Sequence, residues 1–410
     1  MQEFIRHNER GGPFAGAALA FKRVGKSVNL LLYSHSFAPD IGGVETFSRR
    51  LATELPSAVA PANSVKLTVV TKSPDRLGEN PVPADLLVIR RPSVWKLRRL
   101  IGDSDVVLLA GPAMLPLFFG LVQRKAVVVT HHGYQTICPN GLLFHYQTQA
   151  CCPGHFRSSR YLECIRCCGG ELGFVRGVAR VMLTFLRRFL CLFSRYNVSV
   201  SQHLAHRLSL PASVVIHQGV PQTDLPSFAR PSDPPRFVYV GRMVAEKGVG
   251  TLIEAAGILK ARGRVFQVLL VGDGPLRSVL EGLSLRLGLH KHVSFLGFKT
   301  GKDLRRLLDE ASACVIPTVS EETAGFSALE QMMAGKAIIA SEIGALPEEI
   351  GESGLTFSAG KATELADCME RLIVSPGSAE SLGRRARERA MRLYDARQMI
   401  GRYVELLRSL

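Results

Sequence analysis

The chain has 410 residues, of which 46% are hydrophobic and 21% are charged. This length favours two domains of roughly 200 residues each and excludes a small domain held together by disulfides. The apolar content excludes a globally disordered chain. Basic residues exceed acidic ones by 16, and residues 1–220 hold 26 Lys and Arg against 12 Asp and Glu, whereas residues 221–410 hold 25 against 23. The first half should therefore meet an anionic partner, either membrane phospholipid, nucleic acid or a phosphorylated substrate.

The sequence contains no apolar run of the roughly 18 residues that a transmembrane helix needs. The best candidate, Val181–Phe193, is interrupted by two arginines. A short apolar stretch, Phe14–Phe21, is followed directly by two basic residues, which is not typical of a signal peptide. We therefore expect residues 1–26 to form a flexible tail and the protein to reside in the reducing cytoplasm, peripherally on the inner membrane face if it acts there.

From Ser27 onward, short apolar strands alternate with segments of helical periodicity, which predicts parallel sheets with crossover helices. The first half has five such strands: Val28–Tyr33, Val65–Thr71, Val106–Ala110, Ala126–Thr130 and Val198–Ser201. Residues 216–235 lack periodicity and predict a linker. The alternation then restarts with Arg236–Val240, Gln267–Val271, Val293–Phe295, Ala313–Ile316 and Ala337–Ala340. The prediction is two doubly wound α/β domains.

Two such domains create a cleft at the carboxyl ends of their strands, where ligands usually bind. Neither half has a GxGxxG fingerprint after its first strand, and the chain has no GxxxxGK[ST] motif. These absences disfavour dinucleotide binding and exclude the common nucleoside-triphosphatase loop. The candidate chemistry must therefore come from other loops at the cleft.

Arg242 and Lys247 follow the first strand of the second half and precede a helical segment. From such a loop both cations can point into the cleft, where Arg pairs with two phosphate oxygens and Lys adds a point charge. This spacing indicates a pyrophosphate clamp, and the alternative is a pair of ordinary surface cations.

Glu322 and Glu330 flank the start of a helical segment, and a helical path would place them about 12 Å apart. That separation is too large for the acid and nucleophile of a retaining glycosidase. We interpret both as acceptors for ligand hydroxyls, with free N–H groups at Gly325–Ser327 suited to phosphate. The alternative is two solvated glutamates near a helix N-terminus.

Six motifs together resemble glycosyltransferase family 4, and they occur in that family's order and approximate spacing: Phe37–Glu45, Val238–Gly248, Val271–Pro275, Phe295–Gly297, Glu322–Glu330 and Gly344–Glu348. Thr323-Ala324 replaces the family's commoner Pro-Phe, and Ala337 replaces a frequent Pro. The resemblance extends from about Ser27 to the C-terminal region. It implies a retaining enzyme with the GT-B fold, in which two Rossmann-like doubly wound domains face each other across a cleft.

The resemblance also implies a domain plan. Residues 27–215 would form the acceptor-binding domain, with a Cys-rich insert at 138–168. Residues 236–395 would form the nucleotide-sugar donor domain. The last segment, 396–410, would be a helix packed back on the first domain.

Site roles carried over by the resemblance place the donor diphosphate on Arg242 and Lys247, the ribose hydroxyls on Glu330 and the donor sugar on Glu322. The remaining donor-binding positions are Gly42, Gly43, Gly241, Gly272, Gly297, Gly325, Phe326 and Ser327. His132 matches a family histidine near the transferred sugar, with His131 as the alternative. Two fixed cations neutralise the departing diphosphate, so we expect no catalytic metal.

The implied donor is a UDP- or GDP-sugar, and the acceptor is a lipid-linked or other glycan intermediate. A soluble acceptor such as a sugar phosphate is the alternative. A further alternative, of another class, is a non-catalytic protein that binds nucleic acid or a membrane. Nucleic acid is not expected, because the chain has one Trp and no interleaving of aromatic with basic residues.

Six of the nine cysteines fall within 31 residues: Cys138, Cys151, Cys152, Cys164, Cys167 and Cys168. This density in a cytoplasmic protein favours a metal over disulfides, and Cys164 and Cys167 have ligand spacing. We expect a structural zinc ion held by Cys138, one of Cys151 and Cys152, Cys164 and Cys167. Unligated thiols or a redox pair are the alternative, since the first spacings fit no standard zinc finger.

A basic amphipathic helix is predicted over Leu172–Tyr196, because its arginines fall within an arc of about 120°. They are Arg176, Arg180, Arg187, Arg188 and Arg195. Such a helix suits the anionic cytoplasmic face of a membrane, where each basic residue adds roughly 1 kcal/mol of attraction. The alternative is an ordinary domain helix with its arginine face in solvent.

Overall fold

A computed structural model describes residues 28–40, 42–59, 65–74, 83, 86–170, 173–222 and 233–410. The tail expected over residues 1–26 and half of the linker expected over residues 216–235 lie outside the described residues.

The first domain is built on a seven-stranded parallel sheet with the order β3-β2-β1-β4-β5-β8-β9. Its strands are β1 (Val28–Ser34), β2 (Val65–Thr71), β3 (Leu87–Arg90), β4 (Val106–Ala110), β5 (Ala126–His131), β8 (Tyr196–Ser199) and β9 (Ser213–Val215). Its helices are α1 (Gly43–Val59), α2 (Val94–Gly102), α3 (Met114–Val122), α4 (Tyr161–Gly169), α5 (Phe174–Cys191) and α6 (Gln202–Leu208). A short antiparallel hairpin, β6 (Phe144–His145) and β7 (Ala150–Cys151), lies outside this sheet.

The second domain has a six-stranded parallel sheet with the order β12-β11-β10-β13-β14-β15. Its strands are β10 (Arg236–Val240), β11 (Gln267–Val271), β12 (Val293–Gly297), β13 (Ala313–Ile316), β14 (Ala337–Ser341) and β15 (Leu355–Phe357). Its helices are α7 (Val249–Ala261), α8 (Arg277–Arg286), α9 (Gly301–Asp309), α10 (Phe326–Met333), α11 (Leu346–Ile350), α12 (Ala362–Val374) and α13 (Pro376–Leu393). The two sheets confirm the predicted pair of doubly wound α/β domains.

Both sheets are buried on two faces, because helices cover each side of the strands. The central strand β4 is entirely buried, and its sequence is an uninterrupted apolar run. Each sheet carries one cluster of buried apolar side chains on each face, and these four clusters form the cores of the two domains. This burial explains why continuous apolar runs, rather than alternating ones, mark the strands in the sequence.

The last helix, α14 (Ala396–Arg408), belongs to the core of the first domain. The ring of Tyr403 is fully buried, its centroid lies 5.8 Å from that of Phe47, and its hydroxyl is 3.0 Å from Thr130 Oγ1. The chain reaches this helix through Asp395, which pairs as a β-bridge with Val220. The two crossings between the domains therefore run side by side.

Candidate active site

The loops that follow β1, β10 and β13 lie where the strand order of each sheet reverses, the usual ligand position in doubly wound sheets. Two of these loops are joined directly. The carbonyl of Glu246 accepts hydrogen bonds from the Val319 N–H at 3.0 Å and from Thr318 Oγ1 at 2.8 Å. The loop carrying Arg242 and Lys247 is therefore fixed against the loop carrying Glu322.

Lys247 and Glu322, which the sequence places 75 residues apart, form an ion pair with 2.6 Å between Nζ and Oε1. Arg242 lies in the same loop, and its side chain is exposed. Within the part of the chain that the structure describes, its guanidinium has no hydrogen-bond or ion-pair partner. The loop thus carries both a guanidinium group and an ammonium group, and these are the two cationic groups that bind a diphosphate.

Two glycines allow this packing because a side chain would collide with the backbone of the next loop. Gly272 has φ +132°, and a Cβ there would overlap the carbonyl of Gly241. Gly344 has φ +66°, and a Cβ there would meet the backbone of Glu322. The carbonyl of Gly297 accepts the Gly272 N–H at 2.9 Å. Gly272, Gly297 and Gly344 therefore allow the neighbouring loops to pack closely against one another.

The structure corrects the expectation that Gly325 offers a free N–H group. The buried carboxylate of Glu349 accepts that N–H at 2.9 Å with both oxygens. A Cβ on Gly325 would lie 2.7 Å from the same carboxylate, so glycine is needed for this contact. Burial, only partly offset by this hydrogen bond, raises the pKa of Glu349 well above its usual value. The Phe326 N–H is also taken, since it donates to the carbonyl of Ala324 at 2.8 Å, so neither Gly325 nor Phe326 offers a free N–H group at this helix start.

Glu330 lies in the second turn of α10, with its side chain exposed in the cleft. The surrounding protein reduces the hydration of the Glu330 carboxyl, which raises its pKa to about 7. The positive charge of Arg50 in α1 acts in the opposite direction. Arg50 belongs to helix α1 of the first domain.

His132 lies at the cleft, whereas His131 belongs to the core. His131 is fully buried and its Nε2 is 3.0 Å from Asn197 Oδ1. His132 is half-buried, its ring centroid is 4.5 Å from that of Phe47, and its Nε2 has no partner among the described residues. Burial and the neighbouring His131 lower the pKa of His132 to about 3, so its imidazole is neutral at physiological pH.

Thr323 links the two domains at this point. Its Oγ1 donates to the carbonyl of His132 at 2.9 Å, and its carbonyl accepts from Ser201 Oγ at 2.6 Å. Thr323 therefore joins the loop of Glu322 to the loop of His132.

Gly42 and Gly43 lie at the start of α1, on the opposite side of the cleft from the second domain's loops. Gly43 is exposed, and a Cβ there would contact nothing within 4 Å. The structure therefore leaves open space over this glycine, at the helix N-terminus where the diphosphate is expected.

Two glutamates to which the sequence analysis gave no role hold the domains together. Glu321 receives two hydrogen bonds from Arg207, at 2.9 and 2.6 Å, and one from His203 at 3.0 Å. Glu348 accepts the N–H groups of Gln202 and His203, both at 2.9 Å, and pairs with His217. Burial opposes ionisation of both carboxyls, but these contacts outweigh it and lower the pKa of each. The sequence gave one signal for each residue, since Glu321 directly precedes Glu322 and Glu348 ends the Gly344–Glu348 motif.

The cysteines of the insert separate into two groups. Five of them line one small cavity: Cys138, Cys152, Cys164, Cys167 and Cys168. Cys151 does not line it, and its thiol instead faces Glu321 of the second domain at 3.9 Å. Of the two cysteines between which the sequence analysis left the zinc ligand open, Cys152 lines this cavity.

Helix α5 differs from the expected amphipathic helix, because its buried face consists of small and medium-sized residues. They are Gly177, Val181, Thr184, Leu190 and Cys191. Most of its large apolar side chains are exposed, including Phe174, Met182 and Phe189 at 66, 60 and 55%. Arg188 is not a surface cation. Its guanidinium donates hydrogen bonds to the carbonyls of Leu208 and Ser209, at the C-terminal end of helix α6. The exposed face is therefore both basic and apolar.

No described helix is both long and apolar enough to cross a membrane.

The architecture is that of the GT-B fold, with two Rossmann-like domains facing each other across a cleft. Residues 221–389 match the family described as Glycosyl transferases group 1. The fold resembles that of Alr3699/HepE from Anabaena, solved in complex with UDP, with a TM-score of 0.69, 17% identity, and coverage of 93% of this chain and 100% of that one.

Curated relatives match a shorter part of the chain. The sequence is 35% identical over 156 residues to alpha-D-kanosaminyltransferase from Streptomyces kanamyceticus, which covers 38% of this chain and 40% of that protein. It is 36% identical over 164 residues to D-rhamnosyltransferase WbpZ from Pseudomonas aeruginosa, which covers 39% and 42%. The chain thus spans about two fifths of the length of these relatives.

Proposed function

We propose that the chain is a retaining, nucleotide-sugar-dependent glycosyltransferase of family 4 type. The observation that carries this proposal is the ion pair between Lys247 and Glu322 at the switch point of the second sheet, in the loop that also carries Arg242. We place the diphosphate of the donor against Arg242 and Lys247, with the carboxylates of Glu322 and Glu330 as acceptors for its hydroxyls. Similarity to named sugar transferases supports the assignment.

In the proposed reaction, the bond between the sugar's anomeric carbon and the diphosphate breaks while a bond to the acceptor oxygen forms on the same face. The acceptor's proton passes to the departing phosphate oxygen. Arg242 and Lys247 neutralise the charge that develops on the diphosphate, which lowers the barrier without a catalytic metal. We propose that neutral His132 orients a hydroxyl of the sugar or the acceptor, and the support for this role is that its Nε2, which is buried, has no partner among the described residues.

The donor we propose is a UDP- or GDP-sugar, with the sugar against Glu322 and the ribose hydroxyls on Glu330. Solved structures of Alr3699/HepE hold UDP and UDP-glucose, which makes UDP-glucose the first donor to test. The assay incubates the full chain with UDP- and GDP-sugars and an acceptor extract, and follows release of the nucleoside diphosphate. Release in chelator-treated buffer, with an α-linked product from an α-linked donor, is expected. No release from any donor would overturn the proposal.

Donor affinity should depend on pH through Glu330, whose pKa is about 7. Below pH 7 its carboxyl is protonated, and above pH 7 it is an ionised acceptor for two ribose hydroxyls. We expect the Kd for a nucleotide sugar to fall about tenfold between pH 6 and pH 8, as for any site that needs one ionised carboxylate. Calorimetric titration at several pH values measures this, and the Glu330→Gln variant should show a flat profile. An equal slope in that variant would assign the effect to another group.

For the acceptor, we propose a lipid-linked glycan reached at the anionic cytoplasmic face of a membrane. Helices α2, α3 and α5 pack side by side and contain no acidic residue. Their exposed apolar side chains form what we call the docking face: Trp95, Leu115, Phe118, Val122, Phe174, Met182, Leu186 and Phe189. Exposed large apolar groups among basic residues suit an interfacial membrane site.

Binding to vesicles tests this proposal. We expect flotation with vesicles containing anionic phospholipid, weaker flotation with neutral ones, and a decrease at high salt. Replacing Trp95, Phe118 and Phe189 by Ser should abolish flotation. The matched control replaces Val265 and Phe298, each 68% exposed in the second domain, by Ser. If the variant that lacks Trp95, Phe118 and Phe189 floats like the wild type, or if the wild type does not float, a soluble acceptor such as a sugar phosphate is favoured.

A further inference from the structure

The insert between β5 and β8 has only a small core of its own. Its separate buried cluster consists of Phe156, Cys164 and Val181. Segments with so small a core usually need a disulfide or a metal ion to fold uniquely. All nine cysteines of the chain are free thiols, so disulfides do not supply this stabilisation and a metal ion is the remaining candidate.

The cysteines that the sequence analysis expected as zinc ligands do not form one ligand set. The amide of Asn140 lies between two of them, since it accepts from the Cys138 thiol at 2.9 Å and donates to Cys167 Sγ at 3.5 Å. Within the described part of the chain, the one group of three potential ligands whose atoms lie within 4.8 Å of one another contains no cysteine. The zinc site expected from Cys138, Cys152, Cys164 and Cys167 is therefore not formed.

That group consists of His145, His155 and Glu163, which come from three segments of the insert. His145 ends strand β6, His155 lies in the turn after the β6–β7 hairpin, and Glu163 lies in the first turn of helix α4. Ligands bound to zinc at about 2.1 Å lie about 3.4 Å apart in a tetrahedral site. Small rotations of the three side chains therefore bring their ligand atoms onto one ion.

The two histidines are prepared for a metal by burial and hydrogen bonding. His145 is 6% exposed, and its Nδ1 lies 3.2 Å from Thr148 Oγ1. A metal-bound histidine usually donates its other ring N–H to an oxygen acceptor, and in that tautomer Nε2 of His145 is the free ligand. The Thr148 N–H is 3.4 Å from the same Nδ1, which is too long for a strong hydrogen bond.

His155 supplies an independent indication of a missing partner. Its Nδ1 is buried and has no hydrogen-bond partner among the described residues. Leaving a buried polar atom unsatisfied costs about 1–3 kcal/mol. Its ring centroid lies 5.9 Å from that of His145, with the two rings edge to face. An ion between the two imidazoles and the nearby carboxylate would remove this cost.

Glu163 contributes the negative charge of the group. Its Oε1 is paired with Arg166 at 2.7 Å, and the two side chains are 38 and 65% exposed. An ion pair between side chains so exposed contributes only about 0.2–1 kcal/mol, so it does not compete with a bond between a carboxylate and a metal ion. The exposure of Glu163 also gives an ion a path from solvent into the site.

The space between these ligands limits which metal fits. All three side chains line the small cavity that the thiols of the insert also border, and its volume is about 10 Å³, which is room for a single water-sized atom. Two imidazoles, one carboxylate and a water molecule form a tetrahedral set that zinc accepts. Iron(II) also binds two histidines and a carboxylate but keeps further open positions, for which this cavity is too small.

We propose that the insert binds one zinc ion through His145, His155 and Glu163. The ion would fasten the β6–β7 hairpin and the turn after it to helix α4. The same hairpin carries Cys151, whose thiol faces Glu321 of the second domain at 3.9 Å, so the ion also fixes a part of the insert that contacts that domain. This site is separate from the proposed donor site, and its test does not depend on transferase activity.

The test is calorimetric titration with zinc of the full chain, expressed without a histidine tag and treated with a chelator. We expect one zinc per chain in the wild type, and a Kd at least about 100-fold higher in His155→Ala/Glu163→Gln, because two ligands are lost. His206→Ala/Glu254→Gln is the matched control, since it removes the same residue types at exposed positions outside the insert. This control and Cys167→Ser should bind zinc like the wild type.

The wild type reconstituted with cobalt provides a measurement that needs no substitution and no comparison of folded variants. We expect visible absorption of a four-coordinate cobalt ion without sulfur-to-metal charge-transfer bands, since the proposed ligands are nitrogen and oxygen. Far-ultraviolet circular dichroism of each variant checks that it remains folded.

Three results would overturn the proposal. The folded wild type could bind no zinc at stoichiometric concentration. Its zinc affinity could be equal to that of His155→Ala/Glu163→Gln, which would place the ion elsewhere. Sulfur-to-cobalt charge transfer, together with loss of zinc in Cys167→Ser, would assign the metal to the thiols instead.

Discussion

Replacing Arg242 and Lys247 together by Ala should reduce kcat/KM for the nucleotide sugar by about 10³ or more. Each cation is expected to form at least one charge-assisted hydrogen bond to the diphosphate, worth roughly 1.5–3 kcal/mol. Two such contacts contribute about 4 kcal/mol, which corresponds to a factor of about 10³ in rate. The measurement is the rate of nucleoside diphosphate release by the variant and the wild type at equal concentrations of folded protein.

The matched control removes the same two charge types from the same domain, through Arg286→Ala and Lys302→Ala. Both residues are exposed. This control should retain wild-type kinetics. A similar loss in both double variants would mean that the net charge of the domain, rather than the Arg242 and Lys247 contacts, governs donor use.

Replacing Glu321 by Gln should weaken the contact between the domains and lower kcat by about tenfold or more. Glu321 is 13% exposed and carries a two-point contact with Arg207 of the first domain. Removing one partner of such a charge pair typically costs about 2–5 kcal/mol. Small-angle scattering should show a larger radius of gyration, because the open arrangement of the domains becomes more populated.

The Arg207→Gln variant distinguishes loss of domain contact from local damage beside Glu322. Since Arg207 lies in the first domain, it should reproduce the scattering change and the lower kcat without a change in nucleotide affinity. Glu342→Gln, an exposed substitution in the second domain, is the control and should behave as the wild type. An unchanged radius of gyration in both Glu321→Gln and Arg207→Gln would contradict this role.

These contacts are also acid-sensitive. Because the folded-state pKa values of Glu321 and Glu348 are lowered, the stability that these carboxylates contribute is fully present above their unfolded pKa near 4.5. It is lost as the pH falls through the lowered values. The domain contact should therefore persist throughout the neutral range.

The sequence predicted the sheets well, because strands buried on both faces must be continuous apolar runs. The strand Val106–Ala110, for example, has the same bounds in the prediction and in the structure. Short edge strands such as Leu87–Arg90 and Ser213–Val215 were missed, since an edge strand needs less apolar surface and neither has an exclusively apolar sequence.

The candidate site was only partly accessible from sequence. The positions of Arg242, Lys247 and Glu322 in loops could be predicted, because each residue follows the end of a predicted strand. The ion pair between Lys247 and Glu322 could not be predicted, because it depends on how the two loops pack together. The contact of Glu349 with the Gly325 N–H could not be foreseen, because local spacing shows a helix start and not the carboxylate that approaches it. The helical periodicity of the α5 segment predicted that its arginines share one arc of the helix. It did not predict which face of the helix packs against the domain.

The central claim is that a nucleoside diphosphate binds between the loops that follow β10 and β13. Titration calorimetry of the full chain with UDP, GDP and ADP tests it most directly, using the wild type and the Arg242→Ala/Lys247→Ala variant. We expect one nucleotide to bind the wild type, and its affinity to fall by about two orders of magnitude or more in the variant, in keeping with the loss of two charge-assisted contacts. No binding of any nucleotide to the folded wild type, or equal binding to both proteins, would contradict the claim.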